Sequence, residues 1–386
     1  MKFIRYCNKC LMPETKPDLY IDKEGTCSAC NNYMRRADID WTARKKELVK
    51  ILDKYRNKNG INYDCLIPVS GGKDSHFQTI TMLELGMNPL CVTGTTDMLT
   101  DIGRQNIENL KKLGVDYIEI SVNPVIRRKI NRLSLTHIGD ISWPEHIAIF
   151  TFPIHIAVKF NIPLIIWGEN SQNEYGGPAG AAKNNVLNRR WLEEFGGLLG
   201  LRVSDLIGQE GIDKKNLILY SYPSDIELSQ VGVTGLFLGH FVPWDGYHNA
   251  LIAQANGFQT YHKTVEGSLV NYENLDNAQT GIYDYFKFLK YGFGRATDLA
   301  CLHIRRNRLT RQEALELVKM HDGKFPWEYL SYKLEDVLRE INISVDEFIK
   351  ICDRFTNKKL FKCDVRGNLI KDKLGNLTKI NYDNKI

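Results

Sequence analysis

The sequence predicts an α/β protein: a parallel sheet with helices on both faces, a small N-terminal zinc-ribbon module, and a helical C-terminal region. Three observations predict it. From residue 64 onward, apolar β-type runs alternate with amphipathic helical patterns, as in βαβ units. The first thirty residues carry two CxxC pairs. Beyond about residue 280 the text is basic, with apolar residues at helical spacing.

At 386 residues, with 43% hydrophobic and 25% charged side chains, the chain has the composition of a soluble globular protein of two or three domains. A net charge of +5 suits an anionic small molecule. It falls short of the clustered basic stripe of a dedicated nucleic-acid binder, so nucleic acid is not the expected partner. No stretch approaches the roughly 20 apolar residues of a membrane span. MKFIRYCNKC lacks the apolar core of a signal peptide. Four of the nine cysteines fall in CxxC pairs, which fits a reducing compartment and metal-bound thiolates. The expected location is cytoplasmic.

In the N-terminal module, Cys7 and Cys10 form one pair and Cys27 and Cys30 the other, with residues 11–26 between them. A two-residue gap lets both thiolates of a pair reach one ion from a tight turn. Two such turns complete the tetrahedron of a closed structural zinc site. A module this small has little core, and zinc binding of roughly 10–16 kcal/mol can supply its fold. All four positions are protein ligands, so the expected role is structural or docking, not catalytic.

Asp40–Lys58 reads as a charged amphipathic helix leading into the alternating region. There the expected strands are Asp64–Val69, Pro89–Thr95, Asp116–Val122 and Ile162–Trp167. The expected helices are Asp74–Leu85, Asp101–Leu113, Val125–Leu135 and Pro144–Phe160. Leu236–Pro243 reads as a further strand. Gly176–Gly200, with Lys183, Arg189 and Arg190, reads as a glycine-rich functional loop around an embedded helix. The tail Lys358–Ile386 is polar and turn-rich, with the weak alternation of a small hairpin, and no internal repeat is evident. Ligands of parallel sheets bind beyond the carboxyl ends of the strands. Three stretches occupy that edge: SGGKDS at 70–75, TTD at 95–97 and GEN at 168–170.

SGGKDS has the ingredients of a phosphate loop. Gly71 and Gly72 let backbone N–H groups turn inward, and the following helix adds its positive end. Lys73 supplies a mobile cation, and the Ser70 and Ser75 hydroxyls can donate to phosphate oxygens. Asp74 would repel phosphate alone, so its presence points to a bridging Mg²⁺. The spacing is too short for a Walker A loop. In its strand–loop–helix context, SGGKDS resembles the PP-loop ATP pyrophosphatases, also described as adenine nucleotide alpha hydrolase-like. The resemblance implies cleavage of ATP between its α and β phosphates, with adenylation of a carbonyl-type oxygen. It implies nucleotide-binding roles for Ser70, Gly71, Gly72, Lys73, Asp74, Ser75, Asp97, Gly168 and Asn170. Helix or strand capping is the plainer reading of Asp97, Glu169 and Asn170.

Longer blocks narrow the resemblance. The paired CxxC motifs, SGGKDS, WGENSQNEYGG at 167–177, FVPWDG at 241–246, YGFGRATDLACLHIR at 291–305 and TRQEALELVK at 310–319 together resemble the N-acetyl sugar amidotransferases. Members of that family act in pseudaminic acid, legionaminic acid, flagellar-glycan and lipopolysaccharide pathways. The resemblance implies that ATP adenylates the acetamido oxygen of a free or nucleotide-activated sugar. Ammonia then displaces AMP to leave an acetamidino group. It places catalytic roles on Lys73, Asp74, Glu169 and Arg295, with Mg²⁺ at Asp74. The implied division is a four-cysteine zinc-binding module over 1–40, a linking helix over 41–60, a PP-loop domain over 61–250, a helical region over 251–357 that contributes to the substrate site, and a tail over 358–386.

No glutaminase signature is present. Cys65 and Cys91 lie within apolar strands, and Cys301 has only a modest neighbouring motif. Separate HisH-like glutaminase and HisF-like ammonia-channel partners are therefore expected, as the resemblance implies. Asp298, His303 and Arg305, and likewise His240, Trp244 and Asp245, can be read either as sugar or phosphate contacts or as ordinary packing. The rival readings are a PP-loop tRNA-thiolating enzyme and a zinc-ribbon interaction protein with a degenerate nucleotide fold. Neither TTD nor GENSQNEYGG carries the cysteine that sulfur transfer needs, and the intact Ser70, Lys73 and Asp74 argue against degeneracy.

Overall fold

The computed structural model describes residues 4–57, 59–96, 98–169 and 198–380, and the backbone of 186–187. The N-terminal module folds around its cysteines and ends in helix α1 (Ser28–Met34). Helix α2 (Trp41–Tyr55) follows, with the Asp40 carboxylate accepting from the Ala43 N–H at its start. The alternating region then gives β1 (Cys65–Pro68), α3 (Lys73–Glu84), β2 (Pro89–Gly94), α4 (Asp101–Lys111), β3 (Asp116–Ile120), α5 (Pro124–Ile138), α6 (Trp143–Lys159) and β4 (Leu164–Trp167). The two-residue β5 (Val186–Leu187), helix α7 (Asp225–Val231), β6 (Thr234–Phe237) and helix α8 (Gly246–Ala255) complete it.

The sheet runs β3-β2-β1-β4-β6-β5. Strands β3 to β6 along this order pair parallel, and short β5 pairs antiparallel to β6 at the edge. The chain winds outward one way from β1 and the other way from β4. The switch point between β1 and β4 is where such sheets open a ligand crevice. The expected strand over Leu236–Pro243 stops early, because a 3-10 turn covers Leu238–His240. There the Gly239 N–H reaches back to the Gly168 carbonyl (3.0 Å), which tethers the loop after β6 to the loop after β4.

Burial follows the two-residue period of the strands. Cys65, Ile67, Cys91, Leu164, Ile166 and Leu236 face Leu48 and Leu52 of α2, Phe77 and Met82 of α3 and Leu110 of α4. Leu66, Leu90, Val92, Ile165, Trp167 and Phe237 face Ile154 and Ala157 of α6. Cys65 and Cys91 are thus core residues, and burial pushes both thiols up, Cys91 to about 12.

The C-terminal helices are α9 (Thr280–Tyr291), α10 (Arg295–Arg305), α11 (Arg311–His321), α12 (Leu334–Glu340) and α13 (Val345–Phe355). Helices α9, α12 and α13 share a core with Phe286, Phe348 and Phe361. Helices α10 and α11 instead pack Ala300, Leu315 and Val318 against the cysteine module. Between α8 and α9 an irregular segment crosses the carboxyl edge of the sheet. It is pinned by Asn106 to Gln259 (2.7 and 2.9 Å), by Asn109 to the Gly257 carbonyl and by a bridge between Leu99 and Asn277. The tail forms isolated antiparallel bridges around two like turns, in which Asp364 holds Asn368 and Asp372 holds Asn376. That short repeat, DVRGNL then DKLGNL, escapes a search for longer periods. Among the described residues, no helix is long and apolar enough to cross a membrane.

Candidate functional site

The loop after β1 is shaped by close packing. Gly71 has φ +84°, and a Cβ there would meet Ile107 Cγ1 at 2.8 Å and the Ile107 backbone N at 3.1 Å. Only glycine lets the loop lie this close to α4. Ser75 Oγ accepts from the Ser70 N–H (2.9 Å), which closes the loop on itself. Gly72 starts α3 without any side-chain cap, leaving the helix N-terminus to face the cavity with its backbone donors.

Lys73 is 7% exposed, with its ammonium 2.7 Å from Asp74 and 3.2 Å from Glu273. Burial works against its charge, but the two carboxylates outweigh burial and its pKa rises. Asp74 uses its second oxygen to accept from Asn249 of α8 (2.8 Å). Gly246 makes room for this arrangement, since a Cβ there would lie 3.2 Å from Lys73 Cε.

Two adjoining cavities open from the loop. The smaller, about 190 Å³, is lined by Ser70 to Ser75, Glu169, Trp244, Glu273, Asn274, Asp276, Arg295 and Arg306 among others. The larger, about 480 Å³, shares Ser70, Asp74, Glu169, Trp244 and Arg295, and runs under the ends of β2 and β4. Its apolar part is made by Val92, Ile149, Phe150, Pro153 and Trp167, its polar far wall by Arg127, Glu145, His146 and Tyr283. Arg127 and Glu145 form a buried ion pair (2.8 Å), and Arg127 also donates to the Thr95 carbonyl, fixing the loop after β2.

Lys73, Asp74, Glu169 and Arg295 therefore line one cavity, with Gly168 beside them in the larger one. Arg295 is held at 3.3 Å by Asp284 of α9. Asp97 and Asn170 lie outside the described residues, as does most of the glycine-rich stretch at 176–197 with Lys183, Arg189 and Arg190. Trp244 is a cavity wall, edge-on to Phe77 at 5.5 Å. Other expected contacts lie elsewhere. Asp298 pairs with Lys287 (2.5 Å), His240 meets Arg44, and Asp245 caps α8 while pairing with Arg306 and Arg308. Arg305 turns toward the cysteine cluster: burial disfavours its charge, and the sulfurs of Cys301, Cys10, Cys30 and Cys27 more than restore it.

Sequence reasoning does not reach Glu273, Asn274, Asp276 and Asn249. Glu273, Asn274 and Asp276 occupy an aperiodic stretch whose sequence signal is a cluster of polar residues, NYENLDN, and Asn249 lies apart from it on α8.

The Sγ atoms of Cys7, Cys10, Cys27 and Cys30 all lie within 4.8 Å of one another. Cys7–Cys30 and Cys10–Cys27 are 3.9 and 3.7 Å apart. A tetrahedral zinc with bonds of about 2.3 Å requires sulfur–sulfur edges of about 3.8 Å, so the four residues fit the ion. The N–H groups of Cys27 (3.2 Å) and Cys10 (3.5 Å) point at Cys7 Sγ, as thiolate ligands require.

The segment that closes the cavity also carries the informative comparison. Residues 258–373 match the family model of the C-terminal domain of WbpG-like LPS biosynthesis proteins. This matched segment contributes Phe258, Glu273, Asn274, Asp276, Arg295 and Arg306 to the cavity. No match is found among curated proteins. Among solved structures, NMN synthetase from Francisella tularensis aligns at 12% identity over 58% of this chain and 99% of its own, with a TM-score of 0.27. NH3-dependent NAD synthetase from Campylobacter jejuni subsp. jejuni aligns at 13% identity over 57% of this chain and 98% of its own, with a TM-score of 0.28. Likenesses this distant carry no argument, and the fold rests on the strand order and pairing given above.

Proposed function

We propose that the protein is an ATP-dependent, AMP-forming amidotransferase acting on an N-acetylated precursor of a bacterial surface polysaccharide. One observation carries this reading: the SGGKDS loop at the switch point of a parallel sheet faces charged residues supplied by the segment that matches the LPS biosynthesis model. The bare N-terminus of α3 and Lys73 suit the β- and γ-phosphates, which leave as pyrophosphate. The apolar part of the larger cavity suits the adenine base, leaving Arg295 for the sugar.

The acetamido oxygen attacks the α-phosphate, because an amide oxygen leaves poorly until it is phosphorylated. Ammonia from a separate glutaminase then displaces AMP at the imidate carbon. Asp74 stands half-exposed on the cavity rim, with one oxygen on Lys73 and the other on Asn249. It would hold Mg²⁺ together with phosphate oxygens, the usual arrangement for that ion. The bound ion would offset charge on the departing pyrophosphate. A zinc ion held by Cys7, Cys10, Cys27 and Cys30 would have all four positions filled by protein, so its role would be structural.

Incubation with Mg-ATP, an ammonium salt and UDP- or CMP-linked acetamido sugars tests this reading. Sugar-dependent release of AMP and pyrophosphate, with a product in which NH replaces O, is the expected result. ATP consumption without sugar dependence, or thiolation of tRNA in its place, would overturn it.

A further inference from the structure

The far wall of the larger cavity holds a histidine–carboxylate pair to which the reading above gives no role. Asp140 is 1% exposed and lies in the turn between α5 and α6. One of its oxygens accepts from the Ser142 N–H (2.9 Å), the other from His146 Nδ1 (3.1 Å). An ionised carboxylate only accepts, so Nδ1 carries the proton, and the neutral ring presents the Nε2 lone pair. His146 is 22% exposed and lines the cavity that reaches Ser70, Asp74 and Arg295. The ring of Tyr283, from α9, packs edge-on against it at 4.9 Å and fixes its plane.

The placement along α6 separates this pair from the base-binding end. Phe150 is one turn further along the helix and belongs to the apolar part of the cavity, whereas His146 packs against Tyr283 of α9, in the C-terminal segment. The neighbouring Glu145 is committed to Arg127 and cannot serve as a free base.

We infer that His146, oriented by Asp140, is the general base that removes a proton from the attacking ammonia. This inference rests on the amidotransferase reading. The nitrogen lone pair bonds to the carbon of the O-adenylated imidate, and one N–H proton of the adduct passes to Nε2. The C–O bond then breaks with its electron pair on AMP. An amidinium group remains, and the imidazolium returns its proton to water. Burial disfavours the charged ring, but Asp140 and then Glu145 outweigh it, so its pKa lies above the ordinary histidine value. Arg127 on α5 pairs with Glu145, Lys290 on α9 lies close to Asp140 and donates to the Ile138 carbonyl (2.6 Å), and Asp284, Arg295 and Asp298 act on the adjoining Tyr283. The step therefore slows as pH falls through that raised pKa.

The test separates the two half-reactions in the full-length protein, using the UDP- and CMP-linked acetamido sugars named above. Sugar-dependent exchange of labelled pyrophosphate into ATP reports adenylation and needs no ammonia. Amidine formation is followed with free ammonia held constant across pH. His146→Gln is expected to keep exchange near the wild-type rate while amidine formation falls about 100-fold or more and loses its acidic limb. Asp140→Asn is expected to move that limb to lower pH. Normal exchange with unchanged amidine formation in His146→Gln would overturn the assignment alone. Loss of both half-reactions would assign His146 to adenylation or to folding and overturn it equally. Absence of exchange in the wild-type protein would overturn the amidotransferase reading, and this inference with it.

Discussion

The ammonium of Lys73 lies 3.2 Å from Glu273, joining the phosphate loop to the segment that crosses the sheet edge. The cation is thus fixed by a residue far along the chain, and the two parts of the molecule share one site. Lys73→Ala should abolish AMP formation, with a loss of about 100-fold or more, while zinc content stays at the wild-type level. Parallel loss of zinc would mean that the substitution acts on folding. Glu273→Gln removes one of the carboxylates that hold Lys73, leaving Asp74 and Glu169, and should lower KM for ATP by freeing the ammonium for phosphate. A raised KM would show that Glu273 itself contacts the nucleotide or its metal.

The two glycines of the loop should respond differently to alanine. Gly71 combines a left-handed φ with a Cβ position 2.8 Å from Ile107, so Gly71→Ala should destabilise the protein by about 1–3 kcal/mol. Gly72 has φ −71°, and its nearest neighbour, Ser70 Oγ, lies 3.4 Å from a Cβ. Gly72→Ala should melt near the wild-type temperature yet bind ATP more weakly, because the methyl occupies space at the helix N-terminus. Thermal melts and ATP titrations of both variants decide the matter. Equal loss of stability would remove the distinction.

What was legible in the sequence is what has a period or a fixed spacing. The alternation of strands and helices, the CxxC pairs and SGGKDS all depend on neighbours within a few residues. The partners of Lys73 and Asp74 do not: Glu273 and Asn249 reach the site only because the 258–277 segment crosses α4 and α8 packs on α3. Helix α10 shows the same limit within one element. Arg295 and Leu302 share the face that lines the cavity, joined by Arg306 just past the helix end, whereas Arg305 faces the cysteine module. Helical periodicity groups these residues, but tertiary packing decides which group meets the ligand. The His146–Asp140 pair stays hidden for a related reason, since SWPEH reads as an ordinary helix start.

The cysteine module gives a metal prediction. Cys27→Ser should abolish bound zinc, as measured by elemental analysis, and make the first forty residues sensitive to protease. Zinc binding of roughly 10–16 kcal/mol exceeds what this small core can supply by itself. The melting temperature should fall as well, because Leu315 and Val318 of α11 lose their apolar cover and Arg305 loses the sulfurs beside it. A zinc-free variant with unchanged protease resistance would reduce the metal to an accessory.

The tail gives a pH prediction that links stability to the site. Lys379 donates to the Gly292 carbonyl (2.5 Å), at the turn between α9 and α10 from which Arg295 enters the cavity. The same turn is held from the other side by Asp322, which accepts from the Gly294 N–H (2.8 Å). Burial lowers the Lys379 pKa from 10.5 to about 8, with Asp322 acting in the opposite direction. Between those two values the unfolded chain binds a proton that the folded chain has released. Folding stability attributable to this residue therefore rises with pH across that interval. Below about pH 8 the buried charge is a constant cost. Urea midpoints of wild type relative to Lys379→Met should thus increase from pH 8 toward pH 10.5 and level off beyond it. A difference that stays flat would place Lys379 in water. Lys379→Met should also raise KM for the sugar more than for ATP, because the loosened turn carries Arg295 and leaves the phosphate loop untouched.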